Sequence, residues 1–172
     1  MVIKDLTAPE LTAFYQAFSA IMDEGYNNFP EYLKKYFMET LYPYNNFQFW
    51  LSRNIRKILI TVDESNNSLA GFVVGDHTYG GVGFISWLGV LPQYRKQGLA
   101  TQMLAEYEKY VLARKGFALE LFTFDHLLPF YNSLGFKEIG RRDPGYFGQK
   151  NIIMTKQLGE WIPEYLQMPA VN

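Results

Sequence analysis

Between Gly89 and Leu104 the chain reads "GVLPQYRKQGLATQML". An apolar run ends at Pro92, a basic turn with one glycine follows, and an amphipathic pattern begins at Leu99. The chemistry this spacing suits is phosphate binding. A helix start exposes N–H groups that lack intrahelical partners, together with the positive end of the dipole, and both attract an anion. Gly98 lets the backbone approach a ligand closely, and Ala100 adds little bulk. Arg95 and Lys96 put cations at a helix N-terminus, where they oppose the dipole unless an anion sits between. That local conflict points to function, and a pyrophosphate is the anion the seam is expected to hold.

Other chemistries are excluded or weakened. The chain has no cysteine, so it has no disulfide framework, thiolate zinc site or cysteine nucleophile. No G-x-S-x-G elbow offers a serine nucleophile. No G-x-G-x-x-G precedes a helix, and "GFKEIGRR" lacks the Lys-Ser/Thr ending of a Walker loop. A net charge of −1 argues against nucleic acid as a partner. "MVIKDLTAPE" has no apolar core of a secretory signal and no apolar run reaches membrane-span length, so a cytoplasmic protein with no membrane or metal partner is expected.

The positioning elements follow from the patterns. With 172 residues, 48% of them hydrophobic, the chain is expected to form one domain over residues 1–158, with a tail at 159–172. "TAPE" reads as a capping box opening a helix with Leu11, Phe14, Phe18 and Ile21 on one face, ended by Gly25. "NFPE" starts a second helix that stops before Pro43, and a third short helix is open at 45–56. "KILITVDE" and "LAGFVVGDH" read as a hairpin, and "FISWLGV" (Phe84 to Val90) as the next strand. A helix is predicted from about Gly98 to Arg114, with Leu99, Met103, Tyr107 and Val111 inward. "ALELFTF" is a strand, "HLLPFYNSL" a short helix interrupted by Pro129, and "FKEIGRR" and "KNIIMTKQL" two more strands. The sum is a mixed α/β sheet with one parallel crossover, and the basic turn lies at the top of that crossover.

Two segments carry a family resemblance. "WLGVLPQYRKQGLATQML" has the R-x-x-G-x-A form, and "LLPFYNSLGF" (Leu127 to Phe136) has a tyrosine-bearing helix followed by Leu-Gly-Phe. One helix and one strand separate them. On these the chain resembles the GNAT superfamily of N-acetyltransferases. The resemblance implies an α+β fold with a mostly antiparallel, splayed sheet, parting between Phe84–Val90 and Ala118–Phe124. It implies acetyl-CoA as co-substrate, with backbone groups of Leu88, Gly89 and Val90 pairing with the pantetheine arm and one N–H polarising the thioester carbonyl. The main chain of Arg95, Lys96, Gln97, Gly98, Leu99, Ala100 and Thr101 would take the pyrophosphate. Tyr131 stands where the family has its general acid. A phenol keeps its proton at neutral pH and can donate it to a leaving thiolate. The family's usual asparagine before the tyrosine is replaced here by Asp125 and His126.

The acceptor amine must shed a proton. Asp76, His77, Asp125 and His126 are candidates. His126 is the sharpest as a base, Asp125 reads as a helix N-cap, and ordered water is an equal alternative. Asp23, Glu24 and Tyr26 near the first helix end, with Tyr146 in the last loop, would form an acidic, aromatic lip for a cationic small amine. A protein N-terminus is the other acceptor. A non-catalytic acyl-CoA-binding or sensor domain is the rival reading. The run "YFMETLYPYNNFQFW" reads as core or as a homodimer surface.

Overall fold

The structure is a computed structural model and describes residues 1–26 and 29–163. In chain order the elements are β1 (Val2–Asp5), α1 (Leu11–Gly25), α2 (Glu31–Tyr36), α3 (Tyr44–Ser52), β2 (Arg56–Asp63), β3 (Ser68–Asp76), β4 (Val82–Val90), α4 (Leu99–Ala113), β5 (Ala118–Thr123), α5 (Leu128–Ser133), β6 (Lys137–Arg142) and β7 (Asn151–Gln157). The strands form one open, mostly antiparallel sheet in the order β1-β2-β3-β4-β5-β7-β6. Its parallel step is β4 beside β5, the expected crossover, and that pairing runs from Val82↔Ala118 to Ile85↔Leu121. The remainder of β4 lies beyond this paired segment.

The chain divides into two compact units, Met1–Val74 with Trp87–Leu104, and Gly75–Ser86 with the chain from Ala105 onward. In the first, Leu11, Phe14 and Phe18 of the expected helix face are buried, Ile21 is half-buried, and Met22 beside it completes the inward stripe. Glu10 accepts from the Thr7 N–H at 3.0 Å, the reach-back half of the expected capping box. Phe14, Phe18, Phe47 and Phe72 form the centre of the core, with ring centroids 4.9 Å apart for Phe18–Phe47 and 5.3 Å for Phe14–Phe72. The aromatic run is therefore mainly core: Phe37 and Phe47 are buried, while Tyr36 and Phe49 are exposed. The second helix does not continue evenly to Pro43. After Tyr36 it widens into a π-helical turn over Phe37–Leu41, closed by the Tyr42 N–H on the Phe37 carbonyl at 2.7 Å. The wider turn stacks Tyr42 on Phe37 instead of swinging it outward. Asn28 of the "NFPE" signal lies outside the described residues, and so does the tail from 164.

In the second unit, Tyr107 and Val111 of α4 are fully buried. The Tyr107 hydroxyl donates to the Asp76 carbonyl at 2.7 Å and lies 3.2 Å from the Phe84 carbonyl, fixing the helix to the strand ends. The approach is close because residue 75 is glycine: a Cβ there would sit 2.1 Å from the Tyr107 hydroxyl oxygen. Removing the hydroxyl withdraws the proton it donates to the Asp76 carbonyl. Tyr107→Phe is expected to lower unfolding free energy by about 1–2 kcal/mol, measured by urea denaturation. Pro129 lies in the first turn of α5 and so starts that helix instead of interrupting it. A bulge between Glu138 and Gly140 shifts the β6–β7 register.

Candidate functional site

The basic turn is built by residues that cannot continue a strand. Pro92 opens a single 3₁₀ turn over Pro92–Tyr94. Lys96 then takes φ +60° and Gly98 φ +76°. Glycine accepts this left-handed backbone freely; lysine does so only at a cost, which is typical of functional loops. Gln102 donates to the Gly98 carbonyl at 3.1 Å, which begins the α4 ladder. The N–H of Arg95 is used by the Pro92 carbonyl at 3.2 Å. The N–H groups of Lys96, Gln97, Gly98, Leu99, Ala100 and Thr101 have no hydrogen-bond partner among the described residues. Positive-φ residues running into a helix start can gather successive main-chain N–H groups into a concave nest, an anion-binding shape. The first turn of α4 carries no acidic residue to compensate the dipole.

The sequence pattern put Arg95 at this nest as a cation facing an anion. The structure gives it a protein anion. Its guanidinium forks onto Glu24, Nη1 to Oε1 and Nη2 to Oε2, each at 2.6 Å. Its Nε also donates to the Val90 carbonyl at 2.9 Å. The hydrogen bond from Arg95 holds the Glu24 carboxyl below the usual carboxylate range and raises the Arg95 pKa in turn. Lys96 keeps an exposed side chain with no ion pair among the described residues.

Leu88, Gly89 and Val90 end β4 directly before the turn. Gly89 is buried against Ile21 and Phe72, and the Leu91 N–H is held by the Ala70 carbonyl at 2.9 Å. Trp87, which the sequence pattern did not single out, crosses Tyr42 edge-on at 5.1 Å and Tyr26 at 5.8 Å. Its buried indole N–H has no hydrogen-bond partner among the described residues. A tryptophan just before the Leu88–Val90 segment was the available signal. Tyr26 thus belongs to an aromatic cluster with Phe29 and Trp87. Asp23 borders a surface groove of about 420 Å³ that it shares with Glu31, Lys34, Lys35, Met38 and Glu39.

The second unit holds the remaining candidates. Tyr131 is 7% exposed, edge-on to Phe130 at 5.0 Å and to Phe136 at 5.6 Å. Its hydroxyl has no hydrogen-bond partner among the described residues. Burial pushes its pKa up to about 12, so the phenol stays protonated. His126 is exposed in a 3₁₀ turn, stacked on Phe124 with 5° between ring planes. Asp125 is not an N-cap: it is the first residue of that turn, and its carboxylate takes Arg141 at 2.8 Å. The Asp76 carbonyl accepts from the Tyr107 hydroxyl, and His77 Nδ1 pairs with the Tyr110 hydroxyl. Tyr146 is 47% exposed and packs on Phe122 at 4.7 Å, with the Arg142 guanidinium over its ring. No group of three or more potential ligands is placed to hold a metal among the described residues, and no described helix is long and apolar enough to cross a membrane.

Residues 16–136 match the family model described as "Acetyltransferase (GNAT) family". No curated protein matches the chain. Among solved structures, PaiA N-acetyltransferase from Thermoplasma acidophilum, in complex with coenzyme A, has TM-score 0.75 and 18% identity over 91% of this chain and 99% of that one. Aminoglycoside 6'-acetyltransferase type Ii has TM-score 0.71 and 22% identity over 94% of this chain and 100% of that one. A phosphinothricin acetyltransferase from Sinorhizobium meliloti, in complex with AcCoA, has TM-score 0.74 and 15% identity over 93% and 89%. These likenesses are of fold.

Proposed function

The chain belongs to the acetyltransferase (GNAT) family, and we propose that it moves the acetyl group of acetyl-CoA to the primary amine of a small molecule by direct attack. One observation carries the reading: the unpartnered N–H groups of Lys96 through Thr101, gathered at a left-handed turn and a helix start. That nest suits a pyrophosphate, which needs several donors and no countering carboxylate. Leu88, Gly89 and Val90 would pair their main chain with the pantetheine arm, and one of their N–H groups would polarise the thioester carbonyl. Tyr131 would protonate the departing sulfur from its hydroxyl. The high pKa of the phenol is not an obstacle, because the desolvation that raises it also raises that of a thiolate leaving in the same surroundings. The proton shed by the amine balances the one given to sulfur, and we assign its exit to solvent, with His126 exposed as the side chain able to relay it. Asp23 and the aromatic Tyr26 would face a cationic acceptor.

The test is calorimetric titration with CoA, together with acetyl-CoA consumption against pooled small amines and N-terminal peptides. Binding and turnover with a small amine are expected; turnover confined to peptides would overturn the acceptor class. The pH profile adds a check. The acid form of Tyr131 persists up to its raised pKa, so ionisation of this group removes activity only near pH 12. Hence kcat/KM is expected to rise as the amine deprotonates and to plateau, with no alkaline decline below about pH 10.

A further inference from the structure

We propose that Glu24 is a positioning residue of the phosphate-binding turn, acting through Arg95, rather than a contact for the acceptor. The inference rests on the function proposed above. Glu24 lies in the last turn of α1, where a carboxylate opposes the helix dipole and loses stability unless something else holds it. What holds it is the two-pronged Arg95 contact at 2.6 Å on both prongs, a geometry that fixes direction as well as distance. The same guanidinium reaches back to the Val90 carbonyl at 2.9 Å. Arg95 therefore ties together the end of α1, the end of β4 and the start of the turn.

The consequence is geometric. Once its side chain is committed to Glu24 and Val90, Arg95 sets where the chain leaves β4. The next residue, Lys96, must then take φ +60° and Gly98 φ +76° to reach α4. These are the residues whose N–H groups stand free. A nest of donors binds in proportion to how little it must reorganise, so the clamp acts on nucleotide affinity without touching the nucleotide. Each Glu24 oxygen already accepts from one Arg95 nitrogen, so the carboxylate's orientation is set by the turn.

Glu24→Gln removes the charge and keeps the size. The variant is expected to weaken CoA binding about tenfold by calorimetry, to raise the KM for acetyl-CoA alike, and to leave the amine KM and saturated kcat near wild type. Arg95→Lys keeps the charge but loses the fork, and it should weaken CoA at least as much; the double variant should be no worse than Arg95→Lys alone. Thermal midpoints should hardly move, since the two side chains are 43% and 47% exposed and such pairs add little to stability. A rise in amine KM with unchanged CoA affinity overturns the proposal, as does CoA affinity untouched by Glu24→Gln. If the wild type itself fails to bind CoA, the proposed function falls with it; binding that the variants leave intact removes this role alone.

Discussion

Tyr131→Phe is expected to lower kcat by about 10²–10⁴-fold, the range for losing a positioned proton donor. CoA affinity and fold should survive. The phenylalanine keeps the edge-on contacts to Phe130 and Phe136. The lost hydroxyl had no hydrogen-bond partner among the described residues, so its removal strands no buried group. Rapid-quench or steady-state assays at saturating acetyl-CoA, beside calorimetry with CoA, separate the effects. A loss below about tenfold would mean that sulfur takes its proton elsewhere, because general acid catalysis by this phenol would then contribute less than its usual range. A wild type that binds CoA but acetylates no amine would favour a non-catalytic module on the same fold.

Gly75→Ala is expected to be the most damaging single-methyl change to stability. The added Cβ would lie 2.1 Å from the Tyr107 hydroxyl, 2.3 Å from its ring carbon and 2.7 Å from the Phe84 carbonyl oxygen. Two of those three neighbours cannot move cheaply: one is backbone, the other a ring with no exposed surface. Overpacking alone costs about 1–3 kcal/mol. Displacing the ring also breaks its bond to the Asp76 carbonyl, adding about 1–2 kcal/mol. A total near 3–4 kcal/mol is a large share of a typical domain's stability. The urea midpoint should fall further than in Tyr107→Phe, and an alanine variant as stable as wild type would show that α4 can slide away from the strand ends.

The parts of this molecule legible in the sequence are those governed by local period. The inward face of α4, Leu99, Met103, Tyr107 and Val111, is buried as the spacing requires. The turn at Arg95–Gly98 joins a strand to that helix where the sequence pattern put it. What escaped depends on distant partners. β1 is four residues long with only Ile3 partly buried, too short to register as alternation, and it exists because Val2 to Asp5 pair with Val62 to Leu59. Arg95 and Glu24 lie 71 residues apart, and no local rule joins them. The strand predicted from Phe84 begins at Val82, because Val82 and Gly83 pair with Ala118 and Leu119 across the sheet. Lys96 is a poor choice for left-handed backbone on its own terms, so no local rule announces its φ of +60°.

The two margins of the sheet have a consequence for the chain in a crowded solution. β1 and β6 are the outermost strands. One is only four residues long and carries Lys4 and Asp5; the other reads "KEIGRR" and is kinked by its bulge. A strand from another molecule would meet charges and a broken ladder at either border. Filament growth by strand addition is thereby discouraged, and association between copies would have to use side-chain surfaces instead.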